Sequence, residues 1–292
     1  MRVRFGITGA TGHYGGQVVE ALIELGVAPD DIVATGRDAS KLAALTDLGV
    51  RATAADYDDR AALDRAFTGV DSVLLVSGAD PGARVVQHEN VIAAASEAGV
   101  GFLAYTSVLR ADDTPLMLAP DHKVTEAAIR ASGLPYTFLR HGWYSENYVQ
   151  PAADAIATGV LRAATGSGRV SSASRRDLAE AGARVLVERG HDGAALELVG
   201  DQSWTLGELA AVASTIGGRP VEFAGLTADE LRETLLGFGL DDGLVGFLVA
   251  LDVQISEGLL ESDSRDLSAI LGRPTERLET TLARELAEQG AE

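Results

Sequence analysis

The stretch Phe5-Gly6-Ile7-Thr8, followed at once by Gly9-Ala10-Thr11-Gly12-His13-Tyr14-Gly15-Gly16, constrains this chain more than any other. The first four residues read as a short buried strand. From Gln17 to Leu25 the pattern is that of an amphipathic helix, with Val18, Ala21, Leu22 and Leu25 on one face. A strand, a glycine turn and a helix N-terminus make an anion site, because unpaired backbone N–H groups and the positive end of the helix dipole face one point. Glycines at 9, 12 and 15 let the backbone approach a pyrophosphate with no Cβ in the way. The spacing is G-x-x-G-x-x-G in place of the usual G-x-G-x-x-G, so its weight comes from the strand–turn–helix context. The implied ligand is a dinucleotide; the alternative is an ordinary glycine-rich βα turn.

Further short apolar runs follow: Ile32 to Thr35, Gly49 to Ala54, Asp71 to Val76, Phe102 to Thr106 and Tyr136 to Arg140. Each is separated from the next by a helix-length segment. Six strands alternating with helices predict an α/β fold, a doubly wound parallel (Rossmann) sheet over residues 1–150. Ligands of such sheets lie at the carboxyl ends of the strands. The candidate site is therefore Gly9 to Gly15, Arg37, Asp56, Ser77-Gly78, Thr106-Ser107 and His141-Gly142. Beyond Gln150 the rhythm changes to short strand-like pieces and helices, which predicts a smaller C-terminal α/β domain over 151–292, with some segments returning to the sheet. There, Thr205 and Glu208 have the spacing of a capping box. Leu235, Leu236, Phe238, Leu240, Leu244, Phe247 and Leu248 are expected to gather into a small apolar cluster.

Composition narrows the partners. With 46% hydrophobic and 23% charged residues the 292-residue chain reads as a soluble globular protein. No apolar run reaches the roughly 18 residues that span a bilayer, and no signal peptide precedes the first strand. A net charge of −19 argues against nucleic acid. Zero cysteines exclude disulfides and thiol catalysis, in keeping with a cytoplasmic location. A phosphate-bearing cofactor needs local positive charge, and with only Lys41 and Lys123 as lysines, arginine must supply most of it.

At the end of the second strand an acidic residue suits a ribose 2′-hydroxyl and an arginine suits a 2′-phosphate. Arg37 stands there, with Lys41 one turn on and Asp38 one place too late, which points to NADP(H). Arg37 as a plain surface arginine is the competing reading. Asp56 either accepts a hydrogen bond from the adenine amino group or caps the next helix. No Tyr-x-x-x-Lys pair, G-x-S-x-G turn or metal-ligand spacing is present. The acceptor should then need little proton push from the protein. The stretch His141-Gly142-Trp143-Tyr144-Ser145-Glu146-Asn147-Tyr148 follows the sixth strand, where the nicotinamide is expected. Its aromatic residues either line a flat pocket for a planar acceptor or staple the two domains together. Asn147 can orient that acceptor or stabilise oxyanion charge.

Ile7-Thr8-Gly9-Ala10-Thr11-Gly12, Ala104-Tyr105-Thr106-Ser107, Leu139-Arg140-x-Gly142-Trp143-Tyr144-Ser145-Glu146-Asn147-Tyr148 and Gly200-Asp201-x-x-Trp204-Thr205 together resemble the bacterial type 2 NAD(P)H:quinone oxidoreductases. These are NmrA-like members of the atypical short-chain dehydrogenase group. The resemblance runs over nearly the whole chain. It implies a flavin-free, metal-free enzyme with NADPH in the large domain and a quinone in the cleft, with a homodimer left open. By motif match Gly9, Ala10, Thr11, Gly12, His13, Tyr14, Arg37, Ser77 and His141 to Glu146 would contact cofactor. Asn147 would sit near nicotinamide and quinone. Tyr144, Asn147 or His122 would steady the developing hydroquinone oxyanion. His141 stands where asparagine is expected. His122 takes roughly the place of a catalytic lysine in isoflavone-reductase-like enzymes, as a proton donor or as a surface histidine at a helix start. The resemblance also admits two other readings, an NADP-binding redox sensor without turnover and a reductase of other planar compounds such as triphenylmethane dyes.

Overall fold

Short apolar runs form strands and longer amphipathic ones form helices throughout the computed structural model, which describes residues 3–80 and 82–289. Strands β1 (Phe5–Ile7), β2 (Ile32–Gly36), β3 (Arg51–Ala54), β4 (Ser72–Leu75), β5 (Phe102–Val108) and β6 (Tyr136–His141) are connected by α1 (His13–Glu24), α2 (Ala39–Asp47), α3 (Arg60–Ala66), α4 (Arg84–Glu97) and α5 (Ala119–Ser132). The chain continues through β7 (Trp143–Tyr144), α6 (Val149–Thr158), β8 (Val160–Ala163), β9 (Arg169–Val170), β10 (Ser172–Ala173), α7 (Arg175–Glu188) and β11 (Ala195–Leu198). It ends with β12 (Trp204–Thr205), α8 (Leu206–Gly217), β13 (Glu222–Gly225), α9 (Ala228–Gly237), α10 (Asp242–Ser256), α11 (Asp266–Leu271) and α12 (Leu278–Gln289).

The main sheet has seven parallel strands in the order β11-β6-β5-β4-β1-β2-β3. Strand order reverses between β1 and β4, which places the switch point beside the glycine turn. One face is covered by α1, α2, α7 and α11 around Val18, Leu22, Leu45, Leu178 and Leu267. The other is covered by α3, α4 and α5 around Leu63, Phe67, Val91 and Ile129. The seventh strand, β11, reaches the sheet only after the chain has left it: Leu196 lies opposite Leu139 and Leu198 opposite His141. A second core, built on α6, α8, α10 and α12, forms the smaller lobe around Leu161, Leu209, Ile255 and Leu282.

The expected apolar cluster after Thr227 is not closed. Of that region only Leu231 of α9 and Val245, Leu251 and Ile255 of α10 are buried. Leu236, Phe238, Leu244 and Phe247 stand exposed, because α9 and α10 pair as a hairpin whose remaining apolar side chains border a groove.

A buried charge cluster joins the sheet to its surroundings. Arg140, at the end of β6, donates from Nε and Nη2 to both oxygens of Glu126 (2.9 and 2.7 Å) and from Nη1 to Glu197 of β11 (3.1 Å). Nη2 also reaches Asp112. Glu126 accepts in addition from the Ser107 hydroxyl at 2.6 Å.

Packing of α1 on β1 turns on one glycine. A Cβ on Gly15 would lie 2.4 Å from the Gly9 carbonyl oxygen, whereas one on Gly16 would be 3.4 Å from its nearest neighbour. Gly15→Ala is expected to destabilise the fold by more than about 2 kcal/mol, since backbone must move apart. Gly16→Ala should be neutral or slightly stabilising, because alanine costs a helix less than glycine. Chemical denaturation of the two variants checks the contrast, and equal effects would contradict it.

Candidate active site

The turn after β1 is held from below by side chains. The Thr8 hydroxyl donates to Leu74 O (3.1 Å) and accepts from Val76 N–H (2.9 Å), so β1 and β4 are tied at the switch point. The Tyr57 hydroxyl lies 2.6 Å from Thr8 Oγ1 and 2.7 Å from Val76 O. Gly9 takes a left-handed φ of +59°, which aims the chain into α1. Gly12 is the N-cap of α1 with an extended backbone and no side-chain cap, so the helix start keeps N–H donors for an anion. Thr11 lies across Gly36, where a Cβ would come within 2.5 Å of the threonine side chain. Gly12 and His13 are exposed, whereas Ala10 and Gly15 are buried. The Tyr14 ring belongs to the core: it is 6% exposed and its hydroxyl fills the space over Gly182 of α7. Tyr14 can therefore meet a cofactor only through its backbone.

At the end of β2, Arg37 is exposed and pairs with Asp56 at 3.8 Å. Lys41 is exposed one turn into α2. Asp38 is committed elsewhere. Its carboxylate caps α2, accepting from the Ser40 hydroxyl (2.7 Å), Lys41 N–H (3.1 Å) and Ser40 N–H (3.0 Å), and these bonds, the hydroxyl's first, hold its pKa below the usual range. The acid that follows Arg37 is thus committed to the cap, while the side chains of Arg37 and Lys41 stay exposed. The cap of α3 is Asp59, not Asp56, whose Oδ1 accepts from Asp58 N–H in a local turn.

Past β4, the backbone of Ser77 and Gly78 is already bonded. Ser77 N–H donates to Thr106 Oγ1 (2.8 Å) and Gly78 N–H to His88 Nε2 (2.9 Å), while Gly78 O accepts from Arg84 Nε (2.8 Å). Because Nε2 of His88 accepts, its proton is on Nδ1, facing Thr125 Oγ1 at 2.9 Å. Burial pushes this histidine down to about 3, so it stays neutral. Thr106 is buried and its hydroxyl is used here.

His122 is not a surface residue. It is 7% exposed on α5, and its Nδ1 shares a 2.8 Å hydrogen bond with the hydroxyl of Tyr105, which is fully buried on β5. Burial first, then the Arg84 charge, pushes it down to about 4. An imidazolium proton donor near neutral pH is therefore not what this position holds. His141 is also buried and pushed down to about 3; its Nδ1 shares a 3.1 Å bond with Tyr144 Oη, and its Nε2 has no partner. Gly142 is bound at N–H to Leu198 O and leaves no room for a Cβ beside Val199.

The next residues converge on an arginine that the sequence reading did not single out. Arg175 begins α7 behind its Ser174 cap. Its N–H donates to Glu146 Oε1 (2.8 Å), its guanidinium lies 5.0 Å over the Tyr144 ring, and its Nη2 donates to Asn147 Oδ1 (3.2 Å). An arginine only donates, so its partner on Asn147 is the oxygen, which leaves Nδ2 as a donor on an exposed side chain. Glu146 Oε2 is buried and unpartnered, and burial raises this carboxyl. Burial also pushes Tyr144 up to about 12. Ser145 is buried and bonded to Ser172 Oγ (2.8 Å), which also accepts from Trp204 Nε1 (2.9 Å). Tyr148 meets Trp204 edge-on at 4.5 Å and so belongs to the smaller lobe. The signal for Arg175 lay in Ser174-x-x-Asp177, a helix-start pattern.

Trp143 and Asn147 open onto a groove of about 730 Å³ between α6, β8, α9 and α10. Asp252 lines it, with Oδ2 accepting from Ala164 N–H at 2.7 Å. Among the described residues no three His, Asp or Glu side chains are gathered to hold a metal ion, and no helix is long and apolar enough to cross a membrane.

These features match known proteins in kind. Residues 9–189 match the NAD(P)H-binding family. The chain belongs to that family. It is 46% identical over 277 residues to quinone oxidoreductase 2 of Escherichia coli, covering 95% of each chain. A crystal structure of an NADPH-dependent quinone oxidoreductase from E. coli complexed with NADPH superposes with a TM-score of 0.91 at 44% identity, over 96% of this chain and 99% of that one. The triphenylmethane reductase of Citrobacter sp. gives 0.92 at 35% identity, over 97% and 99%. Within the NAD(P)H-binding family the chain is thus an NmrA-like reductase of the type 2 quinone oxidoreductase group.

Asp252 yields a pH test. Burial raises its carboxyl from 3.8 to about 6, so the folded state disfavours the ionised form. The penalty is absent below the unfolded pKa, grows between the two values and is complete above about 6. Asp252→Asn, which keeps an acceptor for Ala164, should stabilise the protein at pH 8 by on the order of 2 kcal/mol and hardly at all at pH 4. Thermal unfolding at the two pH values reads this directly; a gain independent of pH would refute it.

Proposed function

We propose that this protein transfers a hydride from NADPH to a quinone, without flavin or metal. The observation that carries the reading is the Asn147–Arg175–Tyr144 cluster. It presents a fixed amide donor at the sheet edge that also carries the uncapped helix start after Gly12. The 46% identity to a quinone oxidoreductase over 95% of both chains supports it.

The residues present fit the cofactor. Gly9 to Gly15 hold the pyrophosphate through backbone N–H groups, with Thr11, Gly12 and His13 nearest solvent. Arg37 and Lys41 take the 2′-phosphate, and Asp56 keeps Arg37 at the strand end while remaining open to the adenine amino group. Ser77, Gly78 and Thr106 line the middle with backbone N–H groups already pinned to their own neighbours, which leaves the Ser77 side chain for the ligand. His141, Gly142, Trp143, Tyr144, Ser145 and Glu146 frame the nicotinamide end. NADPH, when bound, supplies the hydride for reduction.

Asn147 Nδ2 donates to one acceptor oxygen as it gains negative charge. Tyr144 and Arg175 keep that amide oriented. Two electrons and one proton arrive as hydride, and a second proton, from solvent, completes the hydroquinone. His122, neutral and bonded to Tyr105, orders the wall behind the site. Residues 1–150 thus supply the cofactor half and, through Trp143 to Tyr148, one wall of the acceptor side, while 151–292 supply the rest of that side, with α7 and β11 returning to the sheet. This reading keeps the enzyme in the cytoplasm and leaves homodimer formation to sedimentation.

The test is NADPH oxidation, followed by absorbance, with benzoquinones, naphthoquinones and triphenylmethane dyes. Turnover with quinones is expected; tight NADPH binding without oxidation by any acceptor would sink the reading and favour a sensor. Arg37→Ala should weaken NADPH binding by tenfold or more, about 1.4 kcal/mol, while NADH binding changes little. Equal losses for both nucleotides would remove Arg37 from the 2′-phosphate. Asn147→Ala should lower kcat about 10²-fold with NADPH affinity nearly unchanged. Unaltered turnover in that variant would count against the amide as oxyanion donor.

A further inference from the structure

The groove that opens at Trp143 and Asn147 is larger than a bare quinone ring requires. Its volume of about 730 Å³ lies within the range of sites for drug-sized ligands. It lies between α6 and β8 on one side and the α9–α10 hairpin on the other. Leu161, Leu235 and Leu251 line its walls, and Phe238, 67% exposed, stands at its rim. Large apolar side chains left facing solvent around one concavity mark a binding site for an apolar ligand.

Two polar groups inside the groove support a small-molecule occupant. Tyr148 lines it, is 8% exposed, and has a buried hydroxyl with no hydrogen-bond partner. Asp252 lines the same groove. With one carboxyl inside and a chain of net charge −19 outside, the groove disfavours anions. A neutral hydrocarbon chain fits both the lining and the charge. Trp143 and Asn147 border both the groove and the acceptor position, so one ligand can occupy the two at once.

We propose that the groove between α6, β8, α9 and α10 holds the hydrophobic tail of the acceptor, so that the substrate class is quinones carrying an alkyl or isoprenoid side chain. The inference rests on the acceptor position proposed above and adds the tail as the determinant of affinity. Each buried methylene contributes about 0.8 kcal/mol, so a tail of several carbons has ample leverage.

The experiment pairs binding with turnover. Benzoquinones of identical ring and with no tail, a decyl tail, or one or two isoprene units are titrated against the NADP⁺-loaded protein, with tryptophan fluorescence as the readout and Trp204→Phe leaving Trp143 as the sole reporter. The same compounds are assayed for NADPH oxidation. Kd and KM are expected to fall at least tenfold from the tail-less ring to the decyl compound. In Phe238→Glu, and separately in Leu235→Asp, the ratio of the two constants should collapse to within about twofold. Retained NADPH affinity certifies that these variants fold. Tail-dependent binding without turnover supports the groove and sinks the quinone reductase reading. Turnover indifferent to the tail overturns the groove assignment and spares that reading. A change from dimer to monomer in Phe238→Glu, with the tail series unaltered, would make the groove a subunit interface and also overturn it.

Discussion

A guanidinium almost without water fixes much of this molecule. Arg140 has its side chain only 6% exposed and spends its donors on Glu126, Glu197 and Asp112. Those partners come from α5, from β11 and from the segment after β5. Buried ion pairs of this kind add little net stability against an apolar replacement, but losing one partner strands the others at a cost of about 3–5 kcal/mol. The cluster therefore specifies arrangement. Glu197 passes the constraint on: its other oxygen accepts from Arg110 N–H, and Arg110 sits at a left-handed φ of +53° with Nη2 donating to Leu259 O in the smaller lobe. One network thus sets both the end of β6 and the approach of the second lobe, and the next residue along the chain is His141.

The site divides into a stiff half and an adaptable one. Around the glycine turn nearly every group is tied: Thr8 to β4, Tyr57 to Thr8, Ser77 and Gly78 to Thr106 and His88. The buried histidines at 88, 122 and 141 are all driven toward the neutral form by burial, so pH changes around neutrality leave this wall alone. On the side proposed for the acceptor, Asn147 is exposed and held by one arginine, and the groove beside it is bordered by side chains in contact with solvent. Rigid cofactor placement with a tolerant acceptor side is what hydride transfer to varied planar rings requires.

Much of the fold was legible because strands buried on both faces read as unbroken apolar runs. Asp71 to Val76 and Phe102 to Thr106 could hardly be anything else, although the second proves longer, reaching Val108. The glycine turn and the capping box at Thr205 are local devices, visible because their physics is local. What escaped was set by distance along the chain. That Ala195–Leu198 becomes the seventh strand depends on α7 packing against α1, which no window of sequence contains. Arg175 reaches Asn147 only because β10 pairs with β7. Gly36 reads as a strand end until Thr11 is seen lying on it. The burial of His122 follows from Tyr105 on a neighbouring strand, and the open groove from α9 and α10 pairing with each other.

The path of the chain between the lobes bears on how such a protein can be remodelled. After β7 the backbone enters the smaller lobe, comes back as α7 and β11, leaves again through β12 to α10, returns as α11 against α7, and departs finally as α12. Neither lobe is a contiguous stretch that can be excised, swapped or expressed alone. A hinge between them would need concerted change at several segments of backbone. Inheritance follows the same logic: shuffling a whole module would tear the sheet at β11, so change in this architecture comes by point substitution.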